Sequence, residues 1–134
     1  MLQTSHEAAR KVQDATGLED TESAMTALEV VVEGIVRRLT AGEAHDLLSQ
    51  LPTELHSRLH GVPSGPDRSL TRETIEEDLI RRLDIDADQA HELLDGVATA
   101  LEDLVSPGEI AHVCAQLPED MRSMFTGEIL HRTP

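Results

Sequence analysis

"TAGEAHDLLSQLPTEL" fills residues 40–55, and "SPGEIAHVCAQLPEDM" fills 106–121, 66 positions later. Carried on to twenty residues each, the two stretches pair Gly42 with Gly108, Glu43 with Glu109, Gln50 with Gln116, Leu51 with Leu117, Pro52 with Pro118 and Ser57 with Ser123. Six identities in twenty positions, against about one for unrelated segments, mark an internal repeat. The same offset aligns Ala24 with Ala90, Leu28 with Leu94, Val31 with Val97, Ile35 with Leu101 and Leu39 with Val105, spaced as one helix face. Further upstream the register slips by one, so that Leu18 meets Ile85 and Val12 meets Leu79. We therefore expect a single all-α domain over 1–134. Repeat one runs over about 5–60, a linker over 61–70 and repeat two over about 71–130.

Each half reads as a three-to-four-helix unit, and the whole as a helical bundle. First helices are expected over 5–16 and 72–83, with Ala8, Val12, Ile75 and Leu79 inward, and long central helices over 21–39 and 87–105. Asp86 followed by Gln89 has the spacing of a capping box. Thr40 and Ser106 are placed to cap third helices, and Glu43 and Glu109, three residues on, to close the box by reaching back to the cap N–H. Pro107 fits the first helical position. The prolines of the two Gln-Leu-Pro triplets end the third helices near Leu51 and Leu117 and open short fourth ones, with Leu55, Leu59, Met121 and Phe125 inward. Two glycines and two prolines in HGVPSGPDRSL, 60–70, make that stretch a linker, across which the halves pack together or swap between chains. The closing HRTP is expected to fray.

Composition narrows the function classes. The net charge is −15, with ten arginines and one lysine, so the chain lacks the basic stripe that neutralises phosphates or anionic lipid. Phe125 is the only aromatic side chain besides histidine, so base-stacking platforms are missing too. No apolar run approaches the roughly 20 residues needed to span a bilayer, and the N-terminus lacks the layout of a secretory signal. Cys114 stands alone, in keeping with a reducing, cytoplasmic setting. Such an acidic, lysine-poor composition suits a salt-adapted or GC-rich source.

A doubled GExxxxxxQLP segment with two helices ahead of it resembles the family catalogued as domain of unknown function 2267, from about Ala8 to Phe125. Leu59 stands where that family often has an aromatic, and the first helix lacks its phenylalanines. The resemblance implies an all-α protein and supplies no catalytic residue or cofactor.

His56 and His60, four apart on one helix face, are the candidate metal pair, although no Glu follows His56 to complete H-E-x-x-H. Asp84, Asp86, Asp88 and Asp95 start like a calcium loop, but Gln89 replaces its glycine, and aspartates at a helix start cap it without any ion. Cys114 reads as a buried small hydrophobe, with His112 on another face of the same helix; a Cys–His dyad would need His91 or His45. Arg37-Arg38 and Arg81-Arg82 favour the ends of helices, and Glu76-Glu77-Asp78 a solvated face. Met25, Ala27 and Val30 lie off the main core face of the second helix. They make either a homodimer patch or the second side of a fully buried helix. No catalytic or cofactor-binding residues emerge. The expectation is a non-catalytic protein-interaction or self-association module, with a homodimer or an unidentified protein partner and no nucleic acid or membrane. The alternative is a small-ligand or metal-binding protein, or an enzyme, with a pocket between the halves that uses His45, His56, His60 or His91.

Overall fold

The computed structural model describes residues 4–59, 61–63 and 65–125, and every regular element among them is helical. In chain order these are α1 (Ser5–Thr16), α2 (Thr21–Arg38), α3 (Ala41–Ser49), α4 (Thr53–Arg58), α5 (Arg72–Leu83), α6 (Ala87–Leu104), α7 (Pro107–Gln116) and α8 (Glu119–Arg122). His60, and the terminal HRTP expected to fray, fall outside the described residues.

Local sequence sets most of these boundaries. The Asp20 carboxylate accepts from Ser23 N at 2.7 Å to start α2. Asp86 and Gln89 close the anticipated box on α6, at 2.8 and 2.9 Å. A second box, Thr71 with Thr74, opens α5. Pro52 and Pro118 are the N-caps of α4 and α8, one residue ahead of each short helix.

Packing follows a reciprocal scheme. α1 lies against both α2 and α6, while α5 lies against both α6 and α2, and the two long helices also touch. Each first helix therefore bridges its own long helix and the other half's, and the halves interlock within one chain around one contiguous core. Because α2 is covered by α1, α5 and α6, it is apolar nearly all round. Met25, Ala27 and Val30 are 5 %, 0 % and 1 % exposed, so they form the second side of a buried helix and not a dimer patch. α1 approaches α6 closely at Gly96, where a Cβ would stand 3.0 Å from the Ala15 carbonyl oxygen.

The connection after α4 is docked on the protein. Gly65 N and Asp67 N donate to the carbonyls of Leu39 and Arg37 at 2.8 and 2.7 Å, supplying partners at the C-terminal end of α2. Arg38 Nη1 donates to the carbonyls of Asp67 and Leu70, both at 3.2 Å. A Cβ on Gly65 would fall 1.9 Å from the Arg37 oxygen, so the close approach requires glycine.

The capping of α3 and α7 departs from the expected box. The Thr40 and Ser106 hydroxyls do accept from Glu43 N and Glu109 N. Their own N–H groups, however, are taken by the other half. Thr40 N donates to Gln116 Oε1 at 3.0 Å, and Ser106 N to Gln50 Oε1 at 2.8 Å. Each Gln-Leu-Pro glutamine thus caps the opposite third helix, which sets α3 and α7 antiparallel, the start of each beside the end of the other. The glutamates are displaced from the role the sequence suggested, because the neighbouring amide reaches the cap first.

Gln50→Ala and Gln116→Ala should each lower unfolding free energy by about 0.5–1.5 kcal/mol in urea titrations, since each removes one cap hydrogen bond. Equal losses from residues 66 positions apart in sequence are the expected sign of reciprocity.

Candidate functional site

Released from capping, Glu43 and Glu109 turn toward each other across the α3–α7 seam. Both stand at the third position of their helices, where the backbone fixes the direction of the side chain. One carboxylate oxygen from each and one ring nitrogen of His112 lie within 4.8 Å of one another. Glu109 is only 7 % exposed and is the one buried charged residue among those described. Its Oε2 and Glu43 Oε1 are both shut off from solvent, and neither meets a donor from any other residue; the one hydrogen bond open to the pair is a proton shared between the two carboxyls. None of the ion pairs among the described residues includes either glutamate.

Two carboxylates this close cannot both ionise without strain in the field. Burial first, then the hydrogen bond and charge of Glu43, then the charge of Asp46, push the Glu109 carboxyl from 4.5 up to about 7. At neutral pH the seam therefore takes up or releases a proton readily. Once that proton is lost, the two inner oxygens face each other with no donor from any other residue.

Among the described residues, those singled out from sequence form no common cluster of metal ligands. His56 is half-buried, with Nε2 enclosed and without a partner, but its proposed companion His60 lies outside the described residues. His45 is exposed. His91 is engaged elsewhere, its Nδ1 3.0 Å from Glu76 Oε2. Arg72 anchors that network, bonding Glu76 at 2.9 Å and Asp95 at 2.8 Å, while its backbone N donates to Asp120 at 3.1 Å. These bonds tie α5 to α6 and α8. The calcium-loop aspartates are dispersed: Asp84 ends α5 with a φ of 54°, Asp86 caps α6 and Asp95 pairs with Arg72. Among the charged runs, Arg81 pairs with Asp78, and Arg82 lies 3.7 Å from Glu29. Cys114 is 2 % exposed, and burial pushes its thiol up to about 11, so it stays protonated at neutral pH.

His112, on another face of α7 from Cys114, is the histidine that the structure brings beside Glu43 and Glu109. Its signal was legible: Glu109-x-x-His112 and Glu43-x-x-Asp46 are the same position pair in the two halves, three residues apart and hence on one helix face.

Fold and seam define a class: an all-α protein whose two short antiparallel helices bring a pair of carboxylates together out of water. The chain belongs to the family described as "Uncharacterized conserved protein (DUF2267)", which matches it over residues 5–124. No curated protein matches it. No helix among the described residues is long and apolar enough to cross a membrane.

The Glu109 shift fixes a pH dependence. Below pH 4.5 the group is protonated in both states and costs nothing. Between 4.5 and about 7 the folded state holds a proton that the unfolded chain has lost, so stability falls as pH rises. Above 7 the penalty is complete. Glu109→Gln should match wild type near pH 4 and exceed it in stability at pH 8, as read by urea melts at the two pH values.

Proposed function

We propose that this protein is a non-catalytic binding module whose binding element is the acidic α3–α7 seam, and that it recognises a positively charged ligand there. One observation carries the reading: Glu109, more than nine-tenths buried, faces a second carboxylate, and none of the ion pairs among the described residues includes either of them. A buried carboxylate without a donor is costly, and a cation in the seam removes that cost. The cation is either an ion or a basic group on a protein partner; both meet the same two oxygens. A partner acting here would be basic, which also suits a chain of net charge −15. That charge opposes nucleic acid and anionic membrane surfaces as ligands.

Two further points support binding over catalysis. The lone thiol is held protonated, so it does not serve as a ready nucleophile. His91 and Asp95 are committed to Arg72. Self-association has lost its apolar patch to the core, so any homodimer must use another surface. The cytoplasm is the proposed compartment, in line with one protected thiol.

Thermal unfolding followed by circular dichroism tests the reading, since the chain has no Trp or Tyr for fluorescence. Wild type is melted with divalent cations, with arginine amide and with a short basic peptide. A ligand present at 100 times its Kd adds about 2.7 kcal/mol, a rise of roughly 8–16 °C for a chain of this size. At least one of these cations should raise Tm in wild type and leave the Glu43→Gln/Glu109→Gln double variant unmoved. If every cation shifts both proteins alike, or none shifts wild type, the seam is not a cation site.

A further inference from the structure

We propose that the seam is a divalent metal site, with Glu43, Glu109 and His112 as its protein ligands and a first-row metal of the zinc class as its ion. The inference rests on the cation-binding reading of the seam and narrows it to one ligand chemistry.

Three independent features converge. First, the donor atoms already lie within 4.8 Å of one another, drawn from two helices. Ligands at the 2.0–2.2 Å typical of zinc stand about 3.3 Å apart. The remaining closure falls to Glu43, only partly buried, and to His112, which is exposed and free to turn. Second, Glu109 is an enclosed carboxylate whose Oε2 points at no donor, and Glu43 Oε1 is in the same condition. Unpaired oxygens in a protein interior are rare, and a metal satisfies both at once. Third, Glu109-x-x-His112 places a carboxylate and an imidazole on adjacent turns of α7, a spacing that helical bundles use to present metal ligands inward.

Chemistry selects among cations. An imidazole nitrogen beside two carboxylates suits zinc and its neighbours, whereas calcium asks for six to eight oxygens and magnesium for a full octahedron, mostly of oxygen and water. A lysine or arginine head would pair with the two carboxylates alone, whereas a metal also takes the His112 nitrogen as a ligand. Three protein ligands leave one tetrahedral position for water or an outside group.

The test is native mass spectrometry and isothermal titration of the full chain with zinc chloride after a chelator wash, with calcium and magnesium chloride as comparisons. One zinc per chain is expected, with calcium and magnesium at least tenfold weaker. Glu43→Gln, Glu109→Gln and His112→Ala should each weaken zinc tenfold or more, while His56→Ala should bind as wild type. Circular dichroism monitors folding, and His112→Ala, at an exposed position, keeps the test open if a glutamate variant is unstable. Absence of stoichiometric zinc, or binding that survives all three substitutions, or that is lost in His56→Ala, overturns the proposal. If zinc fails while arginine amide or the basic peptide still stabilises wild type through the two glutamates, the metal inference falls and the cation-binding seam stands. If none of them binds, both fall.

Discussion

Gln50 and Gln116 each accept a hydrogen bond from the backbone N–H that begins the other's helix, and the geometry of the α3–α7 seam depends on that exchange. A helix start leaves donors that something must satisfy. Here the partner comes from the far end of a neighbouring helix and not from the same turn. Two short helices are thereby held side by side in a fixed register. With the cap N–H groups already taken, Glu43 and Glu109 are left facing one another with an oxygen each that no other residue satisfies.

The seam is built onto the interlocked bundle, with Leu47, Ile110 and Val113 buried in the common core. α1 and α5 each lie across both long helices, so neither half completes its core without the other. Leu39 and Val105, buried at the ends of those helices, stand directly before the Thr40 and Ser106 caps of α3 and α7. The docked connection at Gly65 and Asp67 fixes the same end of α2 from outside. A carboxylate pair on flexible loops would relax into water. On helices tethered at both ends it is held, and the raised proton affinity of Glu109 is the consequence.

Glycine, glutamate, glutamine and proline in the repeated motif thus divide between architecture and chemistry. Proline opens the fourth helices and glutamine bridges the halves. Glutamate alone is left without a structural partner, and it stands at the one point where the two copies of the motif meet. A reading of the motif as caps and turns throughout accounts for everything in it except those two oxygens.

Helix positions were written in local sequence. The spacing of Ala24, Leu28, Val31 and Ile35, the Asp86–Gln89 box and the two Gln-Leu-Pro stops placed the bounds of α2, α6, α3 and α7 within about two residues, because capping and periodicity act over a single turn. Burial of Leu55, Leu59, Met121 and Phe125 was legible for the same reason. The site was not. His56 and the aspartates at 84–88 drew attention because they are near neighbours in sequence. His112 and Glu43 become neighbours only when α7 crosses α3. Whether Glu109 closes its own cap or turns into the seam is settled by a glutamine from the other half of the chain. That contest between a local and a distant hydrogen bond is decided by tertiary packing, since only the packed chain brings the distant amide within reach.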